Sequence, residues 1–272
     1  MAVLQHLKVE PMVGSFEITS PDATRIGCYS SGTGPPLVLV HGTSGTHAGL
    51  DLLLPHLVEK FTLIAIDRRG RGTSGDTPGP YSIEREFEDV AAVVNSVGER
   101  VSLFGHSYGA LVAIGAAPLA RNLEKLVLYE APLRVSNVSH LFLERLDDLA
   151  RRGDLETLLT EFYVWLSLTP EQLDAGRMER DWGFRVAAAA TIPRELRAAH
   201  GWKPNAKDYQ EFTTPTLLLL GSESPELYKQ ATKNATALIR DSRVAVLQGR
   251  GHIATGTAPE LLAAEVAAFL GQ

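Results

Sequence analysis

The sequence predicts an α/β fold in which a mostly parallel, eight-stranded sheet is flanked by helices and carries an inserted helical cap. Short, continuous apolar runs bounded by turn residues alternate with amphipathic stretches of helical periodicity. This alternation implies right-handed crossovers between parallel strands. One long stretch contains helical patterns only, which indicates an insertion.

Eight strands are predicted, and most are apolar runs that suit burial on both faces of a sheet. The first two form a hairpin within FEITSPDATRIGCYSSG, residues 16–32, and make the antiparallel start of the sheet. The other six lie at residues 35–42, 61–67, 101–105, 123–130, 214–221 and 243–249. Because helices separate most of these six, we expect them to be parallel.

Four core helices are predicted between and after these strands. They lie at residues 82–97, 108–117, 225–240 and 259–270. The last helix begins at Pro259, and proline is favoured in a first turn because its missing N–H has no intrahelical partner there.

Residues 132–212 form the predicted cap, which leaves residues 1–131 and 213–272 as the core. Two interpretations of the cap's aromatic side chains stay open. They build the cap's own small core, or some of them line an apolar pocket of the kind that encloses small molecules. These aromatic residues include Phe142, Phe162, Tyr163, Trp165, Trp182, Phe184 and Trp202.

The length and the net charge of the chain limit the classes of protein to which it can belong. The 272 residues fit one large α/β domain with an insertion better than two equal halves. A formal net charge of −6 argues against a general nucleic-acid surface. Arg68, Arg69 and Arg71 form the only tight basic cluster in the sequence, and we expect them to lie in a solvated turn.

The single cysteine, Cys28, excludes an internal disulfide and a cysteine-built metal site. Residues 1–14 lack the positive segment and the long apolar segment of a secretion signal. No apolar run approaches the roughly 20 residues that span a bilayer. We therefore expect a cytoplasmic protein with no membrane partner, and no motif specifies its oligomeric state.

Residues 105–109 read GHSYG and match the pattern G-x-S-x-G between an apolar strand and a helix. In this context the serine lies on a strained turn whose neighbours approach closely, and glycine has no Cβ to clash. The turn exposes the Ser107 hydroxyl at the carboxyl edge of the sheet, where parallel α/β sheets bind ligands. We expect Ser107 to be a nucleophile.

A serine hydroxyl needs a base to remove its proton near neutral pH. His252, in QGRGHIA, follows the last predicted strand and therefore lies at the same edge of the sheet. His41 belongs to a strand-end turn, and His106 faces away from the serine, so we expect structural roles for both. The sequence predicts His252 as the base.

Two backbone amides are predicted to bind an oxyanion at this site. The amide of Tyr108 lies at a helix N-terminus, where it is directed towards developing negative charge. The second amide is that of Thr43, in the turn HGTSGT after an earlier strand, with Ser44 as the alternative.

Six segments occur in an order that resembles the α/β-hydrolase superfamily: SGTGPPLVLVHG, AIDRRGRGTSGD, LFGHSYGA, VLYEAP, PTLLLLG and GRGHIA. The resemblance covers the chain from residue 14 onward except for 132–212, which corresponds to the family's lid or cap. It implies hydrolysis through Ser107, His252 and an acid, with no cofactor and no metal.

The acid departs from the family pattern. In many relatives it is the third residue after the glycine that ends the strand equivalent to 214–221, but Ser224 occupies that position here. Glu130, at the end of strand 123–130, occupies a position that some branches use. A carboxylate there is costly to bury without a partner, and a His252 imidazolium is such a partner. Glu130 is therefore the predicted acid, with Glu223 as the alternative.

The expected activity is that of a serine hydrolase that cleaves a small apolar ester or lactone through an acyl-enzyme. A serine nucleophile argues against the aspartate-dependent dehalogenases and epoxide hydrolases of this fold, but does not separate esters from thioesters or carbon–carbon bonds. Two alternatives remain. One is a non-hydrolytic, cofactor-free enzyme, either haloperoxidase-like or a biosynthetic cyclase. The other is a catalytically silent ligand-binding relative.

Overall fold

The computed structural model describes residues 14–76, 79–134 and 138–271. The predicted lack of a secretion signal concerns mainly residues 1–13, which lie outside the described residues. The strands are β1 Gly14–Thr19, β2 Arg25–Ser31, β3 Pro36–Val40, β4 Thr62–Ile66, β5 Val101–His106, β6 Leu123–Tyr129, β7 Thr216–Gly221 and β8 Ser242–Leu247.

These strands form one sheet in the order β1-β2-β4-β3-β5-β6-β7-β8. Strand β2 pairs antiparallel with β1 and β4, and all other neighbouring strands are parallel. The predicted eight-stranded, mostly parallel sheet with an antiparallel start is therefore confirmed. The register pairs His106 with Tyr129 and Tyr129 with Leu219, so β5, β6 and β7 end at the same edge.

The apolar runs become buried strands because both faces of the sheet are covered. In β3, Leu37 and Leu39 pack on one face while Val38 and Val40 pack on the other, as the two-residue period of a strand requires. Helices α1 Ile83–Ser96, α2 Tyr108–Ala116 and, further along the chain, Glu226–Leu238 cover the valine face. The helix Pro259–Leu270 and the segment of residues 50–57 cover the leucine face.

Within the described residues, five α-helices follow β6 and precede β7. They are α3 His140–Arg152, α4 Leu155–Trp165, α5 Pro170–Arg177, α6 Trp182–Ala188 and α7 Ile192–Gly201. The remaining helices are α8 Glu226–Leu238, α9 Ala254–Thr257 and α10 Pro259–Leu270. Helices α3 to α7 contribute to a third apolar core, separate from the two cores on the sheet. The segment that follows α7 packs against the sheet core and not against this third core. Its Trp202 ring lies against Phe87 of α1, with ring centroids 4.9 Å apart.

The expectation of a solvated turn for the three arginines after β4 is wrong. Arg68 and Arg69 are 1% exposed, and Arg71 is 5% exposed. Arg69 forms a bidentate ion pair with Asp89 of α1, with both N–O distances at 2.7 Å. Each guanidinium can be buried because it is paired with a carboxylate that is buried beside it.

The same cluster joins α7 to the sheet. Arg68 donates to Glu86 of α1 at 2.6 and 2.8 Å, and its guanidinium lies 3.0 Å from Glu195 of α7. Arg71 also pairs with Glu195. Burial by itself would raise the pKa of Glu195, but the two guanidinium groups lower it to about 2. Glu195 is therefore held as a fully buried carboxylate.

Replacing Glu195 with glutamine is expected to lower the free energy of unfolding by about 3–5 kcal/mol, because it leaves buried guanidinium charge uncompensated. Urea denaturation measures this loss. Glu161→Gln is the matched control, since the ion pair of Glu161 with Arg145 is exposed and is worth at most about 1 kcal/mol. Equal losses in the two variants would contradict the role assigned to Glu195.

No helix within the described ranges has both the length and the apolar character that crossing a membrane requires.

Candidate active site

The turn between β5 and α2 has the strained geometry that its glycines predict. Ser107 has φ +55° and ψ −124°, in a region that residues other than glycine rarely adopt. A Cβ on Gly105 would lie 2.6 Å from Cα of Ala110, and one on Gly109 would lie 2.4 Å from the carbonyl oxygen of Val40. Only glycine allows these approaches, and the turn places the Ser107 hydroxyl at the carboxyl edge of the sheet.

The structure brings the predicted base to the predicted nucleophile. His252 lies in the segment between β8 and α9, and its Nε2 is 2.9 Å from Oγ of Ser107. Its Nδ1 is 2.6 Å from Oε2 of Glu130. Because an ionised carboxylate only accepts, Nδ1 carries the proton and Nε2 presents its lone pair to the serine.

Glu130, not Glu223, contacts the imidazole. Glu130 is 1% exposed, and its Oε1 accepts hydrogen bonds from the Gly221 amide at 2.7 Å and from the Ser224 hydroxyl at 2.5 Å. Its backbone has φ +50°, so the carboxylate is held through a strained conformation. Glu223 is exposed. The geometry therefore favours Glu130 as the acid.

Ser224 was considered in the sequence only as a missing acid, and the structure gives it another role. It occupies the position where many relatives carry the carboxylate, and its hydroxyl donates to the carboxylate that β6 supplies instead. The sequence feature that could have indicated this role was a small hydroxyl residue at the position where many relatives carry the acid.

Tyr228 is a site residue that sequence reasoning missed. Its ring stacks on the His252 imidazole, with centroids 4.0 Å apart and planes inclined by 12°. Its hydroxyl lies 3.0 Å from Nε2. Tyr228 thus covers one face of the imidazole and restricts its rotation. Its position on the buried face of α8 was visible in the sequence, but the neighbouring imidazole was not.

His41 and His106 both hydrogen-bond to backbone groups, and both also border the cavity of about 1080 Å³ at Ser107. Nδ1 of His41 donates to the Gly42 carbonyl at 2.8 Å, and Nε2 accepts from the Arg68 amide at 3.2 Å. His106 donates through Nε2 to the His252 carbonyl at 2.9 Å. Burial, reinforced by the charge of His252, lowers the pKa of His106 to about 3. His106 therefore stays neutral near pH 7.

The depressed pKa of His106 predicts an acid-dependent loss of stability. Unfolded histidine binds a proton near pH 6.5, whereas folded His106 resists protonation down to about pH 3. The contribution of neutral His106 to the free energy of unfolding is therefore fully present above pH 6.5, and it is lost as the pH decreases towards 3. In His106→Gln, proton uptake on unfolding at pH 4–6 should be smaller by about one proton. Denaturation curves across this range measure it, and parallel profiles for the two proteins would contradict it.

Thr43 and Tyr108 border a small cavity of about 50 Å³ that opens at Ser107. Within the described part of the chain, neither backbone amide donates to a protein acceptor. Ser44 borders neither this cavity nor the larger one, and its Oγ lies 3.1 Å from the Tyr163 hydroxyl. The geometry therefore favours Thr43 over Ser44 as the partner of Tyr108.

A second, larger cavity of about 1080 Å³ also opens at Ser107. Its core side includes Ser107, His106 and His252, and the helices after β6 supply the aromatic wall of Phe162, Tyr163, Trp182 and Phe184. Phe142 borders neither cavity and packs on Trp165, with centroids 5.9 Å apart, while Trp165 itself borders the small cavity. Both interpretations of the cap aromatics thus apply, each to different residues.

One part of the large cavity's wall is polar. Arg185 of α6 donates to Asp181 at 2.6 Å and to the Tyr163 hydroxyl at 3.3 Å. Tyr163 in turn bonds to Ser44, in the turn that carries Thr43. These bonds connect the helical segment to the turn beside the nucleophile. No group of histidine, cysteine and acidic side chains in residues 14–76, 79–134 and 138–271 is suited to holding a metal ion.

The profile of the alpha/beta hydrolase family matches residues 37–265. The crystal structure of an alpha/beta hydrolase from Sphaerobacter thermophilus is 32% identical, covers 94% of this chain and 100% of that chain, and has a TM-score of 0.81.

Two curated relatives align with most of the chain. The 2-(acetamidomethylene)succinate hydrolase of Mesorhizobium japonicum is 24% identical over 88% of this chain and 89% of that protein. The non-heme haloperoxidase of Rhodococcus erythropolis is 27% identical over 86% of this chain and 92% of that protein.

Proposed function

Since the chain belongs to the alpha/beta hydrolase family, we propose that it is a serine hydrolase that cleaves a carboxylic ester through an acyl-enzyme. One observation carries the proposal. The Ser107 hydroxyl borders two cavities and lies 2.9 Å from His252, whose other nitrogen lies 2.6 Å from a buried carboxylate.

In the acylation step, Nε2 of His252 removes the proton from Ser107 as Oγ attacks the ester carbonyl. Glu130 holds the imidazole in the required tautomer and stabilises the imidazolium that forms. The amides of Thr43 and Tyr108 donate to the oxyanion. The carbon–oxygen bond to the alcohol then breaks, and His252 gives its proton to the departing alkoxide.

In the deacylation step, water attacks the acyl-serine carbonyl while His252 removes a proton from it. The second tetrahedral intermediate collapses, the bond to Oγ breaks, and Ser107 regains its proton from the imidazolium. The products are a carboxylic acid and an alcohol. Besides the ester, the reaction consumes only water, and every proton moves between Ser107, His252, the departing alcohol and that water.

The aromatic wall of the large cavity supports an apolar ester or lactone as the substrate. The relative from Mesorhizobium japonicum is named for a substrate with an acetamido group, so an amide is a further substrate to test. Esters hydrolyse through the same intermediates as amides but have a better leaving group. We therefore propose the ester as the principal substrate class.

The test combines a substrate panel with covalent labelling. Aryl esters, lactones, acyl-thioesters and amides are compared by kcat/KM, and a fluorophosphonate probe is located by peptide mass spectrometry. We expect the highest kcat/KM for esters and a label on Ser107. Absence of hydrolysis across the panel, together with an unlabelled Ser107, would overturn the proposal.

Perhydrolysis is the second candidate, and the haloperoxidase relative favours it. Here hydrogen peroxide replaces water in deacylation and yields a peracid, which oxidises a halide. A halide- and peroxide-dependent assay tests this reaction. Peracid formation at a rate above that of hydrolysis would favour this candidate over the esterase.

A further inference from the structure

Two cavities of very different size meet at the Ser107 hydroxyl. The large one has a volume of about 1080 Å³, and the small one about 50 Å³. Ser107 and Thr43 border both of them. A substrate bound for attack by Ser107 can therefore place one substituent of its carbonyl in each cavity.

The position of the general acid decides which substituent enters which cavity. The leaving oxygen must receive its proton from Nε2 of His252, so the alcohol part lies on the imidazole side. The large cavity is bordered by His252 and by residues that follow it, Ile253 and Thr255. The small cavity is bordered by Thr43 and Tyr108 and not by His252 itself; Tyr228, which also borders it, stacks on the imidazole. The acyl chain is therefore directed into the small cavity.

The small cavity limits the length of that chain. One water-sized group occupies about 10–15 Å³ of such space, so the cavity holds roughly three to five atoms. Its walls are mainly apolar, which suits a hydrocarbon chain. They include Pro132, Trp165, Leu196, Ala199 and Leu227.

The large cavity suits a bulky alcohol part. Three apolar side chains on its wall are substantially exposed: Leu52 at 41%, Met178 at 87% and Phe184 at 53%. Exposed apolar groups beside a cavity are typical of a site that binds an apolar ligand.

We propose that the enzyme hydrolyses esters with a short acyl chain of two to four carbons and a bulky, apolar alcohol, and that Trp165 and Leu227 set the limit on acyl length. This rests on the proposed esterase function. Trp165 lies at the end of α4 and Leu227 in the first turn of α8, so the helical segment and the core each contribute one wall.

The test uses 4-methylumbelliferyl esters with acyl chains of two, four, six, eight and ten carbons. In the wild-type protein, kcat/KM should be highest at two to four carbons and at least about 100-fold lower at eight, since one methylene in a tight pocket changes discrimination by about 10–200-fold. Trp165→Ala and Leu227→Ala should each move the optimum to six or eight carbons. Leu227→Ala also covers the case in which loss of Trp165 disturbs folding.

Leu168→Ala is the matched control, because Leu168 borders the large cavity only. In this variant, the ratio of kcat/KM for the two-carbon ester to kcat/KM for the eight-carbon ester should equal that of the wild type. Efficient hydrolysis of eight- and ten-carbon esters by the wild type, or unchanged profiles in both cavity variants, would overturn this inference while leaving the esterase function intact. Failure to hydrolyse any ester would overturn the esterase function and this inference together.

Discussion

Ser107→Ala is expected to lower kcat about a millionfold, as loss of the nucleophile does in a serine protease. Without Oγ no acyl-enzyme forms, and the imidazole has no hydroxyl to activate. Substrate binding should change little, because the two cavities and the amides of Thr43 and Tyr108 remain. Single-turnover kinetics on the preferred ester measures the effect, and labelling by the fluorophosphonate should disappear.

Ser96→Ala is the control for this variant, since Ser96 lies at the end of α1 and its hydroxyl donates only to the Val93 carbonyl. Its activity and labelling should equal those of the wild type. Thermal unfolding of both variants verifies that the fold is retained. Substantial turnover by a folded Ser107→Ala protein would contradict acyl transfer and favour a non-hydrolytic, cofactor-free reaction.

Glu130→Gln is expected to reduce kcat about ten-thousandfold, as the corresponding loss of the acid does in a serine protease. The amide is neutral, so it neither stabilises the imidazolium nor fixes the tautomer with the proton on Nδ1. Steady-state kinetics with the preferred ester measures the reduction. Because Oε1 also accepts from Gly221 and Ser224, an unfolding measurement should accompany the kinetics.

Glu223→Gln is the matched comparison for this prediction. Glu223 is exposed and lies three positions before α8, yet within the described residues no hydrogen bond joins its side chain to His252. We expect its kcat to remain close to that of the wild type. An impaired Glu223→Gln protein beside an active Glu130→Gln protein would show that the assignment of the acid is wrong.

The strands and the nucleophile turn were predictable because their signals are local. A buried strand such as β3 is a short apolar run, and the turn at Ser107 shows as two glycines spaced four residues apart. The close backbone approaches around Gly105 and Gly109 are the physical reason for that spacing. His252 was predictable for a related reason, since parallel strands end at one edge of the sheet.

The acid was only partly predictable. The sequence favoured Glu130 but left Glu223 open, because both residues follow strands that end at this edge. The hydrogen bonds from Gly221 and Ser224 to Glu130 distinguish them, and these bonds join the residue after β6 to the end of β7 and the turn that follows it. No local pattern encodes a contact between residues 91 or 94 positions apart.

The buried arginines were the clearest failure of local reasoning. Arg68 and Arg71 lie in a segment that reads as a polar turn, and their partner Glu195 is 124 positions from Arg71. A charged residue is expected at the surface unless a paired charge is buried with it, and the sequence does not reveal that pairing.

The sequence by itself determined the order of strands and helices, the turn that presents Ser107, and the edge of the sheet where His252 lies. These features follow from side-chain periodicity and from steric limits within a few residues. The tertiary structure alone decided that Glu130 contacts the imidazole, that Tyr228 covers it, and that one cavity beside the serine is small and the other large. Each of these depends on how distant segments pack, because contacts and empty volumes arise only when separate elements are brought together.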